Sequence, residues 1–137
     1  MPSRRRLAAV LIENMNIRCK ERVADAFHSR MSDLRKLCRA GYGVDVENIG
    51  RLEEYGLCVD RVEADTFGNH PSYWRYQLSW GGPSEEFRYF DRNGGGVEFW
   101  FLDWGDGAGM KVKGRDAQLI KGIIEQASLA VSDPAHA

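Results

Sequence analysis

Three histidines, three cysteines and one pair of aspartates are the residues of this 137-residue chain whose types offer chemistry beyond packing. His28 falls in a basic stretch, His70 in a turn-rich segment and His136 beside the last residue. None has a second histidine or a cysteine at metal-ligand spacing, and no GxSxG, HExxH or phosphate-loop pattern occurs. Cys19, Cys38 and Cys58 are odd in number and lack CxxC spacing. They predict neither a disulfide framework nor a zinc site, and are expected to be small buried apolar residues. A nucleophile assembled from distant parts, such as Cys58 with His70, has no spacing signal behind it. Asp103 and Asp106 in LDWGDG would set two carboxylates at a strand end, oxygen ligands suited to magnesium or calcium. Asp beside Gly is equally ordinary turn chemistry, and that is the reading adopted. No catalytic residue, metal or cofactor is therefore assigned.

Charge offers more. The net charge of −1 hides an asymmetry: residues 1–41 carry a net +6, residues 42–104 a net −7, and the remainder balances. Either the basic segment is a surface for a polyanion, or it lies against its own acidic partner segment. Arg18, Lys20, Arg22, Arg30, Arg35 and Lys36 are the candidate nucleic-acid contacts, diluted by Glu13, Glu21, Asp25 and Asp33. Glu47, Glu53, Glu54, Glu63, Glu85 and Glu86 are the candidate acidic surface for a protein partner. The stretch Tyr73 to Ala108 holds all four tryptophans, and exposed rings on a sheet can stack on bases. Its acidity argues against that use, so the rings are assigned to the core.

The elements that must position these residues follow from periodicity. Between Ser3 and about Ala40 there is no glycine or proline, which predicts helix, with Ser3 as N-cap. Leu7, Leu11, Met15, Cys19, Val23, Phe27 and Met31 recur every fourth residue, then Leu34 and Cys38 continue the line. Steps of four overshoot a turn by about 40° each, so the stripe either winds around a long helix or the helix breaks, best between Asn14 and Lys20. A short helix is expected over Val46 to Tyr55, capped by Asp45, and a half-polar edge strand over Leu57 to Ala64. After the loop 65–72, Trp74, Tyr76, Leu78 and Trp80 alternate inward. Phe87 and Tyr89 lie on a third strand; Val97, Phe99 and Phe101 lie on a fourth that is apolar on most of both faces and belongs inside the sheet. Glycines 105, 107 and 109 read as a loop before a short strand at Met110 to Lys113. A last helix starts at Asp116, with Leu119, Ile120, Ile123, Ile124, Ala127 and Val131 at helical spacing, and ends by Pro134.

This order predicts one α+β domain over residues 1–137. Residues 1–41 form a basic helical region, 42–56 a short helix, 57–113 an antiparallel meander of four to five strands, and 114–133 a C-terminal helix, with the helices packed on one face. A chain of this size buries one core. No apolar run approaches the roughly 20 residues that cross a bilayer, and Glu13, Asn14 and Asn16 interrupt the run after the basic start, so a cytoplasmic protein without a membrane contact is expected. A long amphipathic helix also allows a homodimer.

SWGGP (Ser79 to Pro83), EFRYF (Glu86 to Phe90) and VEFWFLDWGDGA (Val97 to Ala108) resemble a group of small uncharacterised proteins of plasmids, phages and bacterial genomes, marked by Ser-x-Gly-Gly-Pro and Leu-Asp-Trp-x-Asp-Gly. The likeness covers about the central quarter of the chain and leaves out the basic helical region. That group often has an aromatic before the second aspartate, where this chain has Gly105. The resemblance implies a mobile-element setting, and hence, by analogy, an anti-CRISPR or anti-restriction role: a non-enzymatic inhibitor binding a bacterial nucleic-acid-targeting defence complex through charged surfaces. The alternative is a small nucleic-acid-binding or regulatory protein using the basic helix.

Overall fold

A computed structural model describes residues 4–92, 94–103 and 105–132, with side chains described from Lys20 to Leu129 within those ranges. The element order is α1 (Arg4–Ala40), α2 (Leu52–Tyr55), β1 (Cys58–Val62), β2 (Tyr73–Ser79), β3 (Ser84–Phe90), β4 (Gly96–Asp103), β5 (Asp106–Val112) and α3 (Gly114–Ser132). The five strands form one antiparallel sheet in sequence order, the expected α+β meander. Each strand pairs only with its neighbours in the chain, because short turns join antiparallel strands without a crossover. The strand β1 lies at an edge and β4 is flanked on both sides. Ser3, Trp104, Pro134 and His136 lie outside the described residues, and so do the side chains of Arg18, Cys19 and Val131.

Helix α1 is unbroken, the first of the two alternatives, and no interruption falls between Asn14 and Lys20. Its core residues explain how a straight helix stays in contact: Val23, Phe27, Met31, Leu34 and Leu37 are buried, at steps of four, four, three and three, so two overshoots of the 3.6-residue turn are offset by two undershoots. Leu37 takes the place expected of Cys38, which is only half-buried. The ring of Phe27 meets Phe87 at 6.5 Å and Phe99 at 5.8 Å, and Phe87 meets Phe99 at 5.0 Å across β3 and β4. Helix α3 adds Ala117, Ile120 and Ile124 to the same core.

Three further expectations are corrected. The helix expected over Val46 to Tyr55 is confined to its last turn, since Asn48 (φ 68°) and Gly50 (φ 102°) take left-handed conformations and Val46 and Gly50 close a tight bridge. Asp45 is accordingly not its cap. In β2, a bulge between Gln77 and Ser79 changes the phase of the strand, leaving Leu78 in the core and Trp80 74% exposed. The strand β5 begins at Asp106 instead of Met110. Its glycines serve the sheet rather than a loop: a Cβ on Gly107 would sit 2.7 Å from Leu102 Cδ2, and one on Gly109 2.7 Å from Trp100 Cδ2, so both leave room for large side chains lying across from β4.

Replacing Phe99, which is wholly buried at the centre of the ring cluster, with alanine is expected to cost about 3–5 kcal/mol, read as a lower urea midpoint with an unchanged slope.

Candidate functional site

Cα partners in register share a face of the sheet, so the pairing divides the strand residues into two sets. Tyr76, Phe87, Phe99 and Met110 form one continuous row under the helices. On the opposite face run Asp60, Arg75, Arg88, Glu98 and Lys111, and beside them Cys58, Gln77, Glu86, Trp100 and Gly109. The expectation that the rings are internal therefore holds in part: Tyr76, Phe87, Phe99 and Phe101 are buried under the helices and Tyr73 on the other face, while Trp74 and Tyr89 are half-buried. Trp100 also lies on that other face, lining an open cleft together with ionisable groups.

The helix-free face is ordered by mutual pairing. Arg75 makes a two-pronged pair with Asp60, through Nε at 2.9 Å and Nη2 at 2.6 Å. The Arg75 pKa is pushed up by that carboxylate against a smaller opposing effect of burial. Arg88 donates from Nε to Glu86 at 2.8 Å, while its guanidinium lies 5.0 Å from the Tyr73 ring and 4.3 Å from the Trp100 ring. The Trp100 indole N–H donates to Glu98 at 2.9 Å. Gln77 is 7% exposed; its Oε1 accepts from the Cys58 thiol at 3.6 Å and its Nε2 has no partner among the described residues. Glu86, expected on an accessible acidic surface, is 3% exposed and sealed beneath Arg88, so it belongs to the interior of this face.

On the helix side the basic and acidic segments meet each other. Arg30 holds Glu85 through Nε at 3.2 Å and Nη2 at 3.0 Å, and donates from Nη1 to the Tyr55 hydroxyl at 3.3 Å, which in turn donates to Asp33 at 2.7 Å. Burial opposes the charge on Arg30, yet Glu85 and Tyr55 together push its pKa up. Arg22 pairs with Asp103 at 2.8 Å and lies over Phe101, and Arg35 pairs with Asp116 at 2.7 Å. Three of the six candidate nucleic-acid contacts are thus neutralised within the fold, while Lys20 and Lys36 are exposed. Asp103 and Asp106 face each other across the β4–β5 hairpin, and among the described residues no group of three metal-ligating side chains converges. Cys58 is exposed, against the expectation of burial.

The remaining acids separate. Glu47, Glu53 and Glu54 are exposed along the segment leading into and through α2, and Glu63 lies past the far end of β1, about 15 Å of strand away. Next to the first group is a groove of about 920 Å³ between the end of α1, α2, β1 and α3. Tyr42, Leu57, Leu119, Ile123 and Glu53 line it, with Tyr42 73% and Leu57 60% exposed. Val44 is exposed nearby in the chain. No pattern in the sequence marked Tyr42 or Leu57 as surface residues. No helix among the described residues is long and apolar enough to cross a membrane. Comparison with protein families, curated proteins and solved structures finds no match to the chain.

The Tyr55 hydroxyl gives a pH test of the Arg30 network. Burial and the bond to Asp33 push its pKa up to about 12, with Arg30 opposing. A group raised in the folded state contributes stability that is complete below its unfolded value near 10 and lost as pH rises through 12. Stability is expected to fall between those values, and the Tyr55→Phe variant to fall less, measured by urea unfolding across that range.

Proposed function

We propose that this chain is a non-enzymatic protein-binding inhibitor whose recognition surface is the acid-rimmed groove between α2, β1 and α3. The carrying observation is the coincidence there of large exposed apolar side chains, Tyr42 and Leu57, with the exposed acid Glu53, which Glu54 follows and Glu47 precedes in the same exposed segment. Apolar groups left in water beside a groove mark a contact surface, because burying them is favourable only when a partner arrives. An acidic rim selects that partner's charge and steers its approach. The occupant that fits is a basic amphipathic segment of another protein, with apolar residues set between Leu57 and Ile123 and cations toward Glu53 and the acids near it in the chain.

Proteins that handle nucleic acid carry such basic surfaces. Together with the mobile-element setting that the sequence resemblance implies, this points to a bacterial nucleic-acid-targeting defence complex, of the CRISPR or restriction kind, as the target. The inhibitor would hold a basic surface that the complex needs for its substrate. The acids Glu63 and Glu85 have no part in this reading, the first being remote and the second held by Arg30. The pairing of Arg22, Arg30 and Arg35 within the fold also favours protein binding over nucleic-acid binding by α1.

The test is target-DNA cleavage by purified defence effector complexes at increasing concentrations of this protein. Inhibition by the native chain is expected with at least one complex, weakening as salt rises. Leu57→Glu, or Glu53→Lys with Glu54→Lys, is expected to weaken inhibition about tenfold or more. Equal inhibition by native and variant chains would remove the groove from the mechanism, and no inhibition of any complex would remove the defence target.

A further inference from the structure

We propose that the cleft on the helix-free face of the sheet is a binding site for a mononucleotide, its phosphate held by Arg88, Lys111 and Lys113 and its base packed against Phe67. The cleft has a volume of about 770 Å³ and lies between the loop after β1 and the strands β3 to β5. That volume falls within the range of about 300–1,000 Å³ in which small-molecule sites lie. It is separate from the groove assigned to protein binding, which lies on the helix side.

Arg88 is the centre of the site. Its guanidinium is clamped between the rings of Tyr73 and Trp100, and its Nε is committed to Glu86, so the plane and direction of the fork are fixed before any ligand arrives. Among the described residues its two Nη atoms have no hydrogen-bond acceptor, although the side chain is only 17% exposed. Guanidinium donors in that state match the paired oxygens of a phosphate, which they hold with two parallel bonds. Lys111 and Lys113 line the same cleft, both exposed and neither in an ion pair among the described residues. Glu98, between Arg88 and Lys111 in register, directs one oxygen to the Trp100 indole. With Glu86 set against Arg88, the two lysines outnumber Glu98, and the cleft favours an anion.

The opposite wall is apolar. Phe67 is 66% exposed, and its ring stacks on His70 at 6.2 Å on one side. The loop that carries it is braced: the His70 Nε2 accepts from the Phe67 N–H at 2.9 Å, so Nδ1 carries the proton and donates to the Pro71 carbonyl at 2.8 Å. His70 in turn packs on Tyr73 at 5.4 Å. A held aromatic wall facing a cationic floor calls for a ligand that is flat and apolar at one end and multiply anionic at the other. A nucleoside monophosphate has that form, with a base to lay on Phe67 and a dianionic phosphate for the Arg88 fork.

The experiment is calorimetric titration of the full chain with adenosine monophosphate, inorganic phosphate and an eight-residue oligothymidylate. Saturable binding of the mononucleotide at one site is expected, roughly tenfold or more tighter than phosphate. Lys111→Gln with Lys113→Gln leaves the Arg88–Glu86 pair intact and is expected to weaken it roughly tenfold, as is Phe67→Ser, with unchanged circular dichroism. Absence of mononucleotide binding, equal affinity for phosphate, or indifference to both variants would overturn the assignment. Binding of the oligonucleotide without the mononucleotide would overturn it in favour of a strand-binding surface.

Discussion

The meeting of Phe27 with Phe87 and Phe99 is the contact on which the rest of the molecule depends. It is where the longest element touches the two strands nearest the middle of the sheet, and all three rings are at least nine-tenths buried. Rings of this size bury roughly 150–250 Å² each and add the preference of tilted aromatic pairs for one another, so they fix both the depth and the direction of the helix. Once α1 is set there, Arg22 and Arg30 fall opposite Asp103 and Glu85 of the acidic segment and Arg35 opposite Asp116 of α3, so part of the charge asymmetry of the sequence is matched within the fold.

A sheet roofed on one side only must solve a second problem on the other. Apolar residues there would invite association, and isolated charges would leave the strands loosely ordered. The chain answers by pairing charges, Arg75 with Asp60 and Arg88 with Glu86, and with a guanidinium laid between two rings. The outcome is a face that is packed yet polar. Among the described residues of this face the Gln77 amide nitrogen is a buried donor without an acceptor, of the sort that costs about 1–3 kcal/mol.

Much of the architecture was legible from the sequence because period-two alternation and glycine turns delimit β2, β3 and β4, and because the isoleucines of α3 recur at helical spacing. The failures share a cause, since each concerns geometry that spacing does not encode. The bulge at Leu78 reverses the face of Trp80 through a register shift that leaves the local pattern intact. The glycines of β5 look like loop residues until Trp100 and Leu102 are seen lying over them. Glu85 and Glu86 are adjacent and alike in the sequence, yet they point to opposite faces and meet Arg30 and Arg88 respectively. The groove and the cleft were not legible at all, because each is assembled from segments that only folding brings together.

The outermost strand carries a consequence of its own. With glycine at 107 and 109, β5 presents a ribbon of main chain almost bare of side chains and with no strand beyond it. Such a border is a natural template for fibrillar, copy-on-copy growth, and what disfavours it is the exposed charge it carries, Asp106 and Lys111 with Lys113 just beyond. Acetylation of Lys111 therefore removes one of the charges that keep this border from templating copies of itself.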